Sequence, residues 1–318
     1  MLFAILSLGL LGGCTTEIEL DIGQITEPLP VLSGILETGN DNDVLRLWET
    51  AAPTGPGRGS VPGFSSIVYR DARIDSVVTQ ADSLGYLPIP ENFPQPGLSF
   101  TIDVQLLNSE HISVADVAPQ AGHIVNPEWG KDGTRNQFGE EVDQISFTIV
   151  DPAGVDNYYE CFLFIISEFR GEPRITYLND LYNPNVYLVA EGDQGFLPST
   201  MFFSDQLFDG QTIRFRQDID NLSSSSRPGS QGTYGLTEPG LYLMMRATNK
   251  TYYDFMKQWV RHEYTQQTGQ VFSKFGDILL EDVQDLIFSP EPSGLTGNVE
   301  GGLGVVGAVH SQTFRLSR

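Results

Sequence analysis

The sequence predicts a mainly β protein: an N-terminal Ig-like or related β-sandwich, then a larger β-rich region carrying one amphipathic helix. Three observations predict it. Only 19% of the 318 residues are charged, while 33 glycines and 19 prolines supply many turns. Aromatic and β-branched residues gather in short runs, several with period-two alternation. Turn-forming clusters separate those runs at intervals suited to strands and loops. With 40% hydrophobic residues the chain is long enough to bury a sizeable core.

The first element is not part of the core. Residues 1–13, MLFAILSLGLLGG, form an apolar run ending in small residues before Cys14. The run is too short to span a bilayer as a helix and has the length of a signal-peptide core. Leu11-Gly12-Gly13-Cys14 resembles the lipobox of bacterial lipoproteins, in which the cysteine thiol takes a diacylglycerol. Residues 1–13 are therefore expected to be a lipoprotein signal peptide and Cys14 the lipidation site. No Lys or Arg precedes the apolar run, a departure from the usual positive leader. Two or more acyl chains give stable attachment at roughly 0.8 kcal/mol per buried methylene.

Residues 14–29 are expected to be a tether, closed by Pro28 and Pro30. The first β-sandwich is expected over 30–127. Strands are predicted at 31–37, 44–48, 64–70, 72–79 and 98–107, with a Pro/Gly loop at 51–63. Phe100, Ile102, Val104 and Leu106 alternate in the last of these. Ala72, Ile74 and Val78 are assigned to an inner face. The chain is expected to leave the sandwich over 116–127.

The β-rich region is expected over 140–318. Strands are predicted at 144–150, 158–166, 174–178, 185–190, 212–217 and 240–248, with a polar loop at 221–235. A helix is predicted near 251–268. Thr251-Tyr252-Tyr253-Asp254 has capping-box spacing, and Tyr252, Phe255, Met256, Trp259 and Val260 fall on one stripe. Gly269 ends it. A shorter acidic helix is predicted over 276–286.

Charge excludes some partners. There are 41 acidic against 18 basic residues, net −23. That field repels phosphate backbones, so nucleic acid is not an expected partner, and it gives no polybasic membrane contact.

No catalytic, cofactor-binding or metal-binding residue is assigned from the sequence. Cys161, in a β-prone run, reads as a buried small hydrophobe. His111, His123, His262 and His310 have no metal-site spacing. Asp41 and Asp43, with Asn40, Asn42 and Glu37, lack the calcium-loop pattern and read as a solvated turn. The glycine-rich 301–307 segment lacks the phosphate-loop ending and reads as a strand or bulge where backbones approach closely. Trp48, Trp129 and Trp259 fit either a core or a sugar- or peptide-binding groove.

Several segments together resemble a family of Bacteroidota outer-membrane lipoproteins known as domain of unknown function 4249. They are Cys14 with its acidic tether, Val31-Leu32-Ser33-Gly34, Asp71-Ala72-Arg73-Ile74, the 203–210 segment FSDQLFDG, the helix from Thr251, and the 297–307 ending GNVEGGLGVVG. The resemblance implies a lipidated, β-rich envelope protein, often encoded beside TonB-dependent outer-membrane receptors. It implies no activity and no catalytic residues. The expectation is a non-catalytic envelope lipoprotein on the outer membrane, bound through its N-terminal lipid, that binds a ligand or partner as an accessory to a TonB-dependent transporter. A structural or adhesive surface protein and a glycan or peptide hydrolase are the alternatives.

Overall fold

The structure is a computed structural model. It describes residues 28–38, 44–50, 60–120, 123–135, 139, 141–169, 172–177, 201–219, 238–259 and 295–317. Cys14, the 40–43 turn, the predicted strand at 185–190, the loop at 221–235, helical residues 260–268, His262 and the predicted acidic helix lie outside them.

Fourteen strands are described: β1 (Pro30–Glu37), β2 (Val44–Glu49), β3 (Phe64–Arg70), β4 (Asp75–Val78), β5 (Ser99–Leu106), β6 (His111–Val117), β7 (His123–Arg135), β8 (Glu141–Val150), β9 (Tyr158–Phe169), β10 (Glu172–Tyr177), β11 (Met201–Ser204), β12 (Thr212–Ile219), β13 (Gly240–Thr248) and β14 (Val306–Leu316). Helix α1 has described residues 250–259. The protein is thus mainly β. Among the described residues no helix is long and apolar enough to cross a membrane.

Among the described residues the largest sheet has seven strands in the order β10-β9-β13-β14-β1-β2, with β11 also paired to β9. All its pairs are antiparallel except β1 with β14. Two smaller sheets, β12-β8-β7 and β4-β3-β5-β6, pack against it and make two cores. One core joins Ile145, Phe147 and Ile149 of β8 to Tyr159, Cys161 and Leu163 of β9 and Leu241, Leu243 and Met245 of β13. The other joins Leu32, Leu36, Leu45 and Leu47 of β1–β2 to Ile67, Tyr69, Phe100, Ile102 and Val104 of β3 and β5. Strand alternation explains both, because every second side chain of a strand faces the same way.

β14 belongs to both halves. Val306 and Ala308 enter the second core, while Leu316, with Phe314 packed beside it, enters the first. The expected 30–127 and 140–318 segments therefore contribute strands to one common sheet, and β7 runs across residue 127.

Some local expectations change. Ala72 is exposed in a bend, because the Asp71 carboxylate accepts the N–H groups of Arg73 (2.7 Å) and Ile74 (2.8 Å) and stops the strand there. Ile74 and Val78 do pack against the second core. β6 lies where no strand is expected, and β7 begins inside the 116–127 stretch expected to leave the sandwich. β7 accommodates Pro127 and its glycines through register shifts at Val125/Glu128 and Gly130/Thr134. The N-cap of α1 is Asn249: its Oδ1 accepts from Tyr252 N at 3.2 Å. The buried helix face is Tyr252 and Tyr253 with Met256 beside them, whereas Trp259 is exposed.

Candidate functional site

The connection from β8 to β9 and the one from β11 to β12 lie at the same end of the molecule. β12 pairs with β8, placing Thr212 opposite Val150, and β11 pairs with β9, placing Ser204 opposite Tyr158. Residues 151–157 and 205–211 are therefore neighbours. Gly154 (φ 76°) and Gly210 (φ 68°) take left-handed conformations in these turns, and a Cβ on Gly210 would come within 2.6 Å of the Ala153 Cβ.

This arrangement gathers Asp151, Asp205 and Asp209, each with a carboxylate oxygen within 4.8 Å of the others. Asp151 and Asp205 are buried and Asp209 is exposed. Asp151 accepts the Tyr159 hydroxyl on Oδ1 and Gly210 N on Oδ2 at 2.8 Å. Asp205 Oδ2 accepts Asn157 N at 2.8 Å and Asn157 Nδ2 at 3.1 Å. Asp209 Oδ1 accepts Gly154 N at 2.8 Å. Burial holds the Asp205 carboxyl above its ordinary range. The Asn157 hydrogen bonds oppose that shift, and the charges of Asp151 and Asp209 reinforce it. Burial, then the bond to Asp151, also pushes the Tyr159 phenol well up.

Three carboxylates in this compass offer the oxygen donors that hard divalent cations take, in sets of about six to eight. In this fold each carboxylate already accepts a backbone N–H, and those bonds lock two turns together. The cluster was not read from the sequence, although the FSDQLFDG segment that carries two of its members was singled out. The signal was the Asp-rich spacing of two turns that begin at Asp151 and Asp205, which only the β8–β12 and β9–β11 pairings bring together.

A second polar cluster lies beneath α1. Glu160 and Arg246 are buried and paired at 3.2 Å. Tyr252 donates its hydroxyl to Glu160 Oε2 at 3.3 Å, and Arg246 Nε donates to Ser311 Oγ at 3.3 Å. These contacts tie β9, β13, β14 and α1 together.

The residues considered from the sequence are dispersed. Cys161 is fully buried, and burial, then Glu160, pushes its thiol far above the ordinary value, as for an inert packing residue. His111 is exposed at the start of β6, with Nε2 at 3.3 Å from Asp103. His310 Nδ1 meets Thr38 Oγ1 at 2.9 Å, and His123 is exposed on β7. Glu37 is buried at the end of β1. Trp129 packs against the first core and donates Nε1 to Asp143 at 3.0 Å. Trp48 lies beside Arg46 on β2, and Trp259 stands on α1. The glycine-rich ending is a close-approach segment: a Cβ at Gly304 (φ 117°) would lie 2.1 Å from Leu32 O, and one at Gly302 would lie 2.8 Å from Pro30 O.

No curated protein and no solved structure matches the chain. One family model, described as Domain of unknown function (DUF4249), matches residues 15–315. That match takes in both cores except Leu316, the carboxylate cluster and the β1–β14 junction, and the chain belongs to this family.

Proposed function

We propose that this chain is a non-catalytic lipoprotein of a Bacteroidota cell envelope, held to the outer membrane through Cys14, that binds a ligand or protein partner as an accessory to a TonB-dependent transporter. The observation that carries the reading is the position of the Leu11-Gly12-Gly13-Cys14 lipobox-like segment. The family match begins at residue 15, directly after that cysteine. An apolar leader, a cysteine and then an extended β-rich module is the order a lipid-anchored protein requires. The hydrogen bonding of the Asp151–Asp205–Asp209 cluster supports the non-catalytic part. Asp151 has both oxygens engaged, one by Tyr159 and one by Gly210, as in a structural lock rather than a proton-transfer pair.

The test is the mass of the N-terminal peptide of protein isolated from membranes. Cys14 is expected as the first residue, carrying a diacylglycerol thioether. Cys14→Ser protein is expected to leave the membrane fraction. An unacylated cysteine on fully processed protein would defeat the anchor. Detergent extraction of the acylated chain is expected to bring a TonB-dependent transporter with it; repeated isolation of the chain alone would defeat the accessory role.

A further inference from the structure

The β1–β2 hairpin ends in an exposed apolar face whose composition follows from strand register. Val31 is opposite Trp48 and Ser33 opposite Arg46. Leu29 continues the ladder, donating its N–H to Thr50 Oγ1 at 3.0 Å and accepting Thr50 N at 2.9 Å. An antiparallel bridge pairs Arg46 with Tyr86, and a parallel bridge pairs Val31 with Leu303. Directly opposed residues share a face, as do residues two apart on one strand. Leu29, Arg46, Trp48, Tyr86 and Leu303 therefore point the same way, and Leu84 stands in the turn that leads into Tyr86. Leu29 (41%), Leu84 (58%), Tyr86 (41%) and Leu303 (45%) are exposed.

The face is built rather than loose. The Arg46 guanidinium lies 5.2 Å from the Trp48 ring centre and 5.5 Å from that of Tyr86. Its Nε donates to Leu84 O at 2.9 Å. Asp82 Oδ1 accepts the N–H groups of Leu84 and Tyr86, both at 2.8 Å, and so fixes the turn that presents those side chains.

We propose that this face rests on the lipid bilayer surface, with Trp48 and Tyr86 at headgroup depth and Arg46 among the lipid phosphates. The proposal builds on the reading of Cys14 as the lipid anchor. Three observations select a bilayer as occupant. The chain from Cys14 enters the fold at Leu29, on this face. Residues 15–28 reach at most ~50 Å when fully extended, so the body stays close to the anchor. Trp, Tyr and Arg, with flanking leucines, combine an apolar body with a polar tip and settle at membrane interfaces. Finally, a chain of net charge −23 is repelled by anionic lipid over most of its surface, whereas these six side chains include a cation, and the one carboxylate in their turn, Asp82, is held by the N–H groups of Leu84 and Tyr86.

The acylated full chain in phosphatidylethanolamine–phosphatidylglycerol vesicles tests it. Trp48 emission is expected to shift to the blue, to be quenched by brominated lipid, and to be shielded from acrylamide in water. Trp48→Phe should remove the lipid-quenched component. The paired substitutions Leu84→Asp and Tyr86→Asp should restore acrylamide access while leaving the acylation mass unchanged. An acylated protein whose Trp48 stays open to acrylamide and untouched by brominated lipid would overturn the proposal and leave the anchor standing. Shielding that requires an added envelope protein rather than lipid would overturn it as well. If Cys14 proves unacylated, the anchor reading falls by itself. The same measurements on a chain held to nickel-chelating lipid through a histidine tag at its N-terminus then decide the face separately.

Discussion

Asp205 is a carboxyl group that its surroundings make reluctant to ionise. Its value in the folded chain lies above the ordinary 3.8, chiefly through burial, with Asp151 and Asp209 adding repulsion. Between 3.8 and the raised value the folded chain holds a proton that the unfolded chain has released. The resulting stability is present in full below the unfolded value and is lost as pH rises through the folded one. Asp205→Asn keeps an acceptor toward Asn157 and removes the charge. The variant is expected to show a flatter dependence of urea midpoint on pH as pH rises above the ordinary carboxyl value of 3.8; an unchanged slope would assign the effect elsewhere. Tyr159 makes the complementary case. Its ring packs 5.5 Å from Phe203 and 6.2 Å from Phe208, and its hydroxyl donates to buried Asp151. Tyr159→Phe keeps the ring and deletes the donor, so the expected loss is about 1.5–3 kcal/mol, the range for a hydrogen bond to a charged group. A cycle with Asp151→Asn should show most of that loss as coupling between the two residues; additive effects would refute the pairing.

At the scale of one element, α1 shows how far local sequence signals reach. Helix type and position are legible around 251–259, because the apolar spacing and polar start are local properties. The cap and the buried face are not. Thr251 and Asp254 have capping-box spacing, yet β13 runs to Thr248 and the helix begins at residue 250, which puts Asn249 at the cap. Asn249 Oδ1 also accepts Ala308 N at 3.1 Å, a bond to β14 that no local pattern contains. The face is set by Gly307: a Cβ there would lie 2.6 Å from Tyr252 Cδ2, so its absence lets Tyr252 settle on the sheet. Asn249→Ala is expected to cost about 1–2 kcal/mol through the lost cap. Thr251→Ala should stay within about 0.5 kcal/mol. Thermal or urea unfolding of the two variants decides between the positions, and the reverse order would restore Thr251 as the cap. β7 was hidden for a related reason. Pro127, Gly130 and Gly133 read locally as breakers, while its bulges absorb them against β8.

At the scale of the whole molecule, what the sequence withholds is which distant strands meet. Alternation in β5 marks a strand and its inner face, but nothing near Val31 names Val306 as a neighbour of Gly34. The same distance hid the carboxylate cluster, whose members come from two turns that only sheet pairing unites. β14 lies between β13 and β1, and Leu32 N, Gly34 N and Thr38 N donate to Leu303 O, Val305 O and Val309 O. Asn298 fastens the same junction from the side, donating to Asp116 Oδ2 at 3.1 Å and to Val306 O at 3.0 Å. A fragment of residues 30–127 would keep β1 to β6 and lose β14. Its β1 donors would lack acceptors, and Leu32 and Leu36 would lose Val306 and Ala308 from the core they share. Such a fragment is expected to lack a cooperative melt and dispersed amide signals. A peptide of residues 295–317, restoring both the ladder and the Asn298 bonds, is expected to recover them. A fragment that melted cooperatively without the peptide would show the N-terminal half to be self-sufficient and β14 a dispensable addition to it. Recovery by the peptide would instead make the last strand the element on which folding of the first depends.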